Sequence, residues 1–263
     1  MAYKKFVSAL NTRYSVMNAL QAKRRGITRA ITKKLVPINN GSSRGGSGLG
    51  LGSNLRGSSI AQGLRVHAHV FHLVECVKRG ACTCSPKPRK TNAFATAILA
   101  KLRSEHFLPL FSEVPVVVGS LGTRVDIVAA RPAFGTEVLI EVKTGNMSDE
   151  WNGYSRFREP LNHVPYTRVN HAWVQILATR AMCRNAYGVD PDDIYLVIAA
   201  RDSAKKKIVA RILAAPLWTK DASLGGAILA KLLEPVRKID KGKSKSRVPM
   251  KGKGRKPKSG KRS

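Results

Sequence analysis

Acidic residues are missing from the beginning of this sequence, which excludes a balanced surface charge there. Residues 1–74 contain twelve Lys and Arg but no Asp or Glu, and residues 236–263 contain thirteen Lys and Arg beside the single Asp240. The complete chain of 263 residues has a formal net charge of +31. Such a charge predicts a polyanionic partner, with nucleic acid as the first candidate and an anionic membrane surface as the second.

Long apolar runs and cysteines are scarce as well. No uncharged apolar stretch approaches the ~18 residues that a transmembrane helix needs, so we expect no membrane-spanning segment. Four cysteines are too few for a secreted scaffold held together by disulfides. A hydrophobic content of 43% is too high for a wholly disordered chain, so we expect a folded core.

Charge and composition divide the chain into three predicted parts. Residues 1–58 are expected to form a basic N-terminal arm with a Gly/Ser-rich linker over 41–57, although the same acid-free start fits a mitochondrial transit peptide. Residues 59–235 are expected to form the folded domain. Residues 236–263 are expected to be a disordered Lys/Arg-rich tail that serves as a nucleic-acid tether, a nuclear import signal or a solubilising segment.

Hydrophobic periodicity predicts an α/β (α+β) fold with a central mixed β-sheet flanked by helices. The N-terminal residues 3–35 are also compatible with helix. Helices are predicted at 59–77, 91–107, 172–186 and 222–233, and strands at 113–118, 124–130, 137–143, 194–201 and 207–213. Residues 146–170 are predicted to be a loop.

The segment over residues 123–145 carries the most chemical information. If its two strands form an antiparallel hairpin centred between residues 133 and 134, Asp126 lies opposite Glu141 with the Cβ atoms roughly 5 Å apart. Lys143 shares their face. Carboxylates this close repel each other, and a proton, the lysine or a divalent cation would offset the repulsion. The alternative is three exposed charges on a sheet surface. The opposite face is predicted to carry Val125, Ile127, Ala129, Val138, Ile140 and Val142.

An aspartate, a gap of about fifteen residues and then Glu-x-Lys at the end of a hydrophobic strand resemble the motif of the PD-(D/E)XK nuclease superfamily. Further features resemble its RecB-like exonuclease branch. Gly63 and His67 are similar to the branch's G-x-x-x-H helix, whereas the nearby His69 and His72 lack the matching glycine. Glu113 opens the strand before the motif aspartate. The resemblance implies a PD-(D/E)XK nuclease-like core over roughly residues 63–213.

The resemblance also implies a metal site. Asp126, Glu141 and His67 are expected to hold one or two Mg²⁺ (or Mn²⁺) ions, and the backbone carbonyl of Val142 is a further expected ligand. Each histidine and carboxylate has an alternative reading as an ordinary surface side chain. The catalytic set implied by the family is Asp126, Glu141, Lys143 and Gln175.

Two of these residues are expected to act without binding the metal. Lys143 would assist the attacking water, and Gln175, on the helix after the Glu-x-Lys strand, would position a phosphate or the lysine. The branch commonly has a tyrosine one turn after the glutamine, where this chain has Thr179. Glu113 is a possible accessory acid, with Glu105 as its competitor.

Arginines and aromatic residues lie around the predicted cleft, mostly between the motif lysine and the glutamine helix. Such residues suit phosphates and unpaired bases, although the aromatic rings have an equally good reading as loop packing. The predicted nucleic-acid-binding residues are Arg124, Trp151, Tyr154, Arg156, Arg158 and Arg168.

The sequence thus predicts a Mg²⁺-dependent deoxyribonuclease of DNA repair or replication, acting from strand ends or on single-stranded and flap structures, with RNA left open. Exonuclease activity is favoured over endonuclease activity. The alternatives are a non-catalytic nucleic-acid-binding protein on a nuclease scaffold, or a nuclease subunit that needs a helicase partner, since the chain has no P-loop motif. The expected location is intracellular, in the nucleus, the mitochondrion or another DNA-containing compartment. The spacing of Cys76, Cys82, Cys84 and Cys183 does not match an iron–sulfur cluster, so reduced thiols are expected.

Overall fold

A mixed sheet of six strands forms the centre of the protein, and helices cover both faces. In this computed structural model, the structure describes residues 3–21, 24–36, 53–79, 92–145, 155–202 and 207–235. The helices are α1 (Tyr3–Gln21), α2 (Ile27–Lys34), α3 (Ser53–Arg79), α4 (Ala93–Ser104), α5 (Arg168–Tyr187) and α6 (Leu224–Leu233). The strands are β1 (Arg25–Gly26), β2 (Leu108–Val118), β3 (Leu121–Arg131), β4 (Thr136–Thr144), β5 (Asp193–Asp202) and β6 (Lys207–Ala214). The predicted α/β class with a mixed, helix-flanked sheet is confirmed.

Strand β3 has three neighbours, and their arrangement creates an opening in the sheet. β2 pairs antiparallel with one edge of β3 over residues 121–130. On the other edge, β4 pairs antiparallel with residues 127–131, while the short β1 pairs in parallel with Leu121 and Gly122. β4 continues in parallel to β5, and β5 pairs antiparallel with β6. Residues 123–126 of β3 therefore lie where β4 has left the strand and β1 has not yet joined it.

The register of the β3–β4 hairpin is the predicted one. Ile127 pairs with Ile140, so the next position in the same register sets Asp126 beside Glu141. A short 3-10 turn over residues 132–134 joins the strands, at the predicted centre of the hairpin.

Two hydrophobic clusters hold the sheet between its helices. Helices α1, α2, α5 and α6 pack on one face, where Leu139 and Ile198 join them from the sheet. Helices α3 and α4 pack on the other face with Ile140 and Val142. The alternation of β4 between the two clusters follows from the period of two in an extended strand.

Side chains of β3 alternate between the two faces of the sheet, and this alternation is interrupted at Asp126. Val125 packs in the α5 cluster while Ile127 packs in the α3–α4 cluster, so the prediction that these two residues share a face is wrong. At the same level of β2, Glu113 has a φ of +55°, in the left-handed region that is costly for a residue with a Cβ atom. Both strands thus change side at one level, and each carries a carboxylate there.

The N-terminal segment contributes to the core, which differs from the predicted arm over residues 1–58. Leu10 of α1 and Ile27 of α2 are at most 2% exposed and pack in the cluster that contains α5. Gly122 of β3 permits this approach, because a Cβ atom there would lie 2.9 Å from the Cβ atom of Arg24. The expectation failed because the few apolar residues of this segment are spaced among lysines and arginines, as in a free amphipathic helix.

Other boundaries also differ from the predictions. Residues 53–57, predicted to end the Gly/Ser-rich linker, form the start of α3. The remaining part of that linker and the tail over residues 236–263 lie outside the described residues. Within the described ranges, no helix has both the length and the apolar character needed to cross a membrane.

Candidate active site

Polar side chains gather where β4 leaves β3. Asp126 is 8% exposed and Glu141 is 3% exposed. The backbone N–H of Val142 donates a hydrogen bond of 2.7 Å to the Asp126 carboxylate. The backbone pairing of β3 with β4 ends at Ile127 and Ile140 in the described structure. Beyond that pair, the Asp126 side chain takes the place of a backbone acceptor for Val142. The strand separation therefore keeps its backbone donor satisfied while two carboxylates share a buried position.

On the α3 side, Asp126 meets one histidine and one further acid. The Nδ1 atom of His67 lies 3.1 Å from Oε1 of Glu113 and 3.4 Å from Oδ1 of Asp126. One ligand atom from each of the three residues falls within 4.8 Å of the others. Ligands that bind one divalent cation at 2.0–2.3 Å stand up to about 4.5 Å apart, so only small side-chain movements separate this group from a metal site.

The pKa values of His67 and Asp126 are both raised, and the neighbouring carboxylates are among the causes. Burial alone would lower the pKa of His67, but the charges of Asp126, Glu113 and Glu141 raise it to about 9. Burial and the neighbouring Glu141 raise the pKa of Asp126 to about 7, against the opposing effects of His67 and Lys143. A bound divalent cation would supply the charge that these protons supply without it.

On the side that faces α5, the negative charge of Glu141 is balanced by side chains of the protein itself. Its Oε1 atom accepts hydrogen bonds from Nζ of Lys143 at 2.5 Å and from Nε2 of Gln175 at 2.6 Å. The Oε1 atom of Gln175 in turn accepts from Lys143 at 3.3 Å and from the hydroxyl of Thr28 at 3.4 Å. Burial would lower the pKa of Lys143, but Glu141 and Asp126 raise it. The lysine therefore stays charged at neutral pH.

The structure brings most of the predicted site residues together. His67, Asp126, Glu141, Lys143 and Gln175 meet around the hairpin. Glu113, expected only as an accessory acid, belongs to the His67–Glu113–Asp126 group.

Three predicted site residues, Glu141, Val142 and Glu105, lie outside the His67–Glu113–Asp126 group. Among the described residues, Glu141 lies outside the His67–Glu113–Asp126 group, so its role as a metal ligand stays a prediction. Val142 takes part through its N–H, and its carbonyl stays a predicted ligand. Glu105 lies at the exposed end of α4, where it pairs with Lys101 instead of joining the site.

The predicted nucleic-acid-binding residues have different surroundings. Arg124 donates to the backbone carbonyl of Glu113 at 3.3 Å and to Asn18 of α1 at 2.8 Å, so it lies beside the group but is held within the fold. Phe157 is 3% exposed and packs edge-on against Tyr166, which favours loop packing for this pair. Arg156 is exposed, Arg158 and Arg168 are partly buried, and Trp151 and Tyr154 lie outside the described residues.

Two residues near the site were not predicted. Thr28 reaches Gln175 from a segment 147 positions away, and no local pattern could have revealed this contact. His171 lies one turn before Gln175 on α5, a spacing that places both on one face of the helix. Burial, together with the nearby charge of Lys143, lowers the pKa of His171 to about 4, so its imidazole is neutral at physiological pH.

The cysteines contribute no described metal ligand. Cys183 is fully buried in the α5 cluster as a free thiol, and burial raises its pKa. Cys76 lies in α3 with its side chain outside the described structure, as are Cys82 and Cys84.

Comparison of the chain with protein-family models and with curated proteins finds no match. An inference about function therefore depends on the α/β fold and on the geometry of the carboxylates, His67 and Lys143.

Proposed function

We propose that this chain is a divalent-metal-dependent nuclease that hydrolyses phosphodiester bonds of DNA. The observation that carries the proposal is the position of Asp126 between two contrasting neighbours. On one side it joins His67 and Glu113 in a group with ligand spacing, and on the other it adjoins the Glu141–Lys143 pair. The resemblance of Asp126 and Glu-x-Lys to the PD-(D/E)XK motif and the net charge of +31 support the same conclusion.

The donor set fits a divalent cation. His67, Glu113 and Asp126 offer one imidazole nitrogen and carboxylate oxygens, and carboxylates suit Mg²⁺ and Mn²⁺ while imidazole favours Mn²⁺ over Mg²⁺. A cation bound there would polarise the phosphodiester and lower the pKa of a bound water molecule. We propose Mg²⁺ or Mn²⁺ as the cofactor, and the nitrogen ligand favours the second.

The remaining residues of the site would act on the nucleophile and on the phosphate. Lys143 keeps its positive charge next to Asp126 and Glu141, where it would orient the attacking water and stabilise charge that develops on phosphorus. Gln175 donates to Glu141 and accepts from Lys143, so it would hold both side chains in a fixed relative position. Neutral His171 lies on the same face of α5 and could hydrogen-bond a phosphate oxygen.

The substrate is proposed to be DNA attacked from strand ends or in single-stranded and flap structures, in a nucleus, mitochondrion or other compartment that contains DNA. The exposed Arg156 and the partly exposed Arg158 and Arg168 would contact its backbone. A helicase or another repair protein is a proposed partner.

Cleavage of labelled linear single-stranded, linear duplex and closed circular DNA tests this function. Each substrate is incubated with Mg²⁺, Mn²⁺ or EDTA, with the wild-type chain and with Lys143→Ala. The matched control is Lys101→Ala, which removes a lysine paired with a glutamate at 2.6 Å on the exposed surface of α4. We expect metal-dependent cleavage by the wild type and by Lys101→Ala but not by Lys143→Ala.

Each outcome has a distinct meaning. Loss of the linear substrates alone identifies an exonuclease, and loss of the circle as well identifies an endonuclease. Cleavage that survives Lys143→Ala would exclude the assigned site. Tight binding without cleavage under every condition would favour the non-catalytic binding protein.

A further inference from the structure

Helix α2 presents a basic face that no part of the site uses. Ile27, Ala30 and Ile31 are buried on one side of the helix. Arg29 and Lys33, one turn apart, are exposed on the other side. The helix is therefore anchored by its apolar residues and offers two long cationic side chains to the solvent.

This helix adjoins the proposed catalytic residues. β1 occupies the edge of β3 that β4 has left, and α2 begins directly after β1. The hydroxyl of Thr28, in the first turn of α2, donates to Oε1 of Gln175 at 3.4 Å. Gln175 binds Glu141 at 2.6 Å. A ligand in the site would therefore lie close to α2.

The far end of α2 adjoins the loop that carries the predicted DNA-binding arginines. The backbone N–H of Arg158 donates to the carbonyl of Leu35, the residue after the helix, at 2.7 Å. The backbone of α2 thus contacts both the proposed site, through Thr28, and the loop that carries these arginines.

Two basic residues of α2, Arg29 and Lys33, form no ion pair in the described part of the chain, although Glu234 lies near Lys34 at the end of the helix. Residues 1–74 contain no acid. Among the described residues, neither Arg29 nor Lys33 forms an ion pair, whereas Arg180 and Arg184 of α5 both pair with Asp190. Unpaired cations beside a phosphodiester-cleaving site attract backbone phosphates, and this attraction depends on salt concentration.

We propose that the exposed face of α2 binds the backbone phosphates of the DNA strand next to the cleavage position, through Arg29 and Lys33. The proposal rests on the proposed nuclease function and identifies a surface for its substrate. It also gives the N-terminal segment a direct part in substrate binding, in addition to its part in the core.

The test compares the full-length chain with Arg29→Gln/Lys33→Gln. The matched control is Arg103→Gln/Lys220→Gln, which removes the same charge from exposed positions on α4 and on the turn before α6. A second control, Arg29→Lys/Lys33→Arg, keeps the charge of α2. Binding of a labelled single strand is measured in EDTA over a range of KCl concentrations, and KM and kcat are measured with the activating metal.

We expect neutralisation of α2 to weaken binding about tenfold at low salt. The slope of log K against log salt should fall by roughly 1.4, because each phosphate contact contributes about 0.7 on single strands. KM should rise more than kcat falls. The charge-preserving variant should bind like the wild type, and the distant control should change both quantities much less.

Equal changes in the α2 variant and the distant control would overturn the proposal. So would an α2 variant that loses affinity for anionic phospholipid vesicles but keeps its affinity for DNA. If the wild type cleaves no substrate with any metal, the nuclease function fails. The binding measurements in EDTA still decide whether α2 contacts DNA.

Discussion

The two carboxylates of the β3–β4 hairpin lie side by side but have opposite surroundings. Asp126 faces α3, where His67 and Glu113 leave the group with excess negative charge. Glu141 faces α5, where Lys143 and Gln175 compensate it. On the first side, protons or the proposed metal ion would balance the negative charge, whereas on the second side Lys143 balances it.

For the proposed nuclease, this difference would separate metal binding from stabilisation of the reacting phosphate, two tasks that one acidic cluster would perform poorly. A site made only of acids would attract a metal but repel the phosphate and the hydroxide nucleophile. Placing Lys143 on one side keeps a fixed positive charge in the site whether or not a metal is bound. We expect variants of the α3 side to change metal dependence, and variants of the α5 side to change the rate with metal bound.

Asp126→Asn should have the largest effect, because Asp126 is the residue that the two sides share. Cleavage should fall by at least about 10³-fold, as expected when a metal ligand is lost. The metal-free protein should unfold at the same or a higher denaturant concentration, because the substitution removes a buried carboxylate whose pKa is raised. Cleavage rates and urea unfolding in EDTA check both points. Asp221→Asn, at an exposed position far along the chain from the hairpin, should leave the cleavage rate unchanged.

Lys143→Ala should abolish cleavage and also destabilise the fold, since it leaves Glu141 buried without its cation. The free energy of unfolding should decrease by about 1–3 kcal/mol. Adding Glu141→Gln to this variant should restore most of the stability but none of the activity. If the double variant is no more stable than Lys143→Ala, the charge compensation assigned to the α5 side is wrong.

Gln175→Leu should reduce kcat about 10–100-fold with little change in KM, because hydrogen bonds to charged groups contribute about 1.5–3 kcal/mol. The requirement for metal should be unchanged, since Gln175 lies on the α5 side. A metal titration of the variant checks this. A shift in the metal concentration needed for half-maximal activity would show that the two sides are not separate.

The pH dependence of stability distinguishes the two sides without any substrate. The pKa of His67 rises from 6.5 to about 9 on folding, so its contribution is complete below pH 6.5 and is lost as the pH rises through 9. Asp126, raised to about 7, also disfavours the folded state as the pH rises. Urea unfolding in EDTA should therefore show lower stability at pH 9 than at pH 6. Saturating Mn²⁺ should flatten or reverse the trend, and His67→Gln should reduce it.

Deleting residues 236–263 should have the smallest effect on chemistry, because the proposed catalytic residues all lie in the hairpin and its neighbours. Binding should weaken and its salt dependence should become flatter, while kcat stays within about threefold of the full-length value. An unchanged salt slope would show that the tail is not a tether.

The hairpin could be predicted from sequence because its determinants are local. A period of two and a central turn fix the register, and the register alone sets Asp126 beside Glu141. Gln175 was expected only from the resemblance to the RecB-like branch, which has a glutamine on the helix after the Glu-x-Lys strand. In contrast, the left-handed backbone of Glu113 and the change of side at Asp126 depend on two strands together, so the sequence pattern could not show that Glu113 lies beside His67 and Asp126.

Contacts between segments that are distant in the sequence could not be predicted either. Thr28 meets Gln175 only because β1 pairs with the free edge of β3 and carries α2 to the site. A segment rich in lysine and arginine resembles a solvated arm when its few buried positions cannot be distinguished by pattern. Tertiary packing decided its structure.

The first and last parts of the folded chain touch each other. Arg25 donates to the carbonyl of Leu232 at 2.9 Å, and Lys34 donates to the carbonyl of Lys231 at 3.0 Å. In the sequence, the segment with thirteen positive charges follows directly after residue 235, the last residue of the described part that carries this contact. If α2 and this segment both bind phosphates, as proposed, the two elements would act as one bivalent binder. Once either holds a strand, the effective concentration of phosphate at the other rises, so a processive enzyme could keep its substrate between successive cuts.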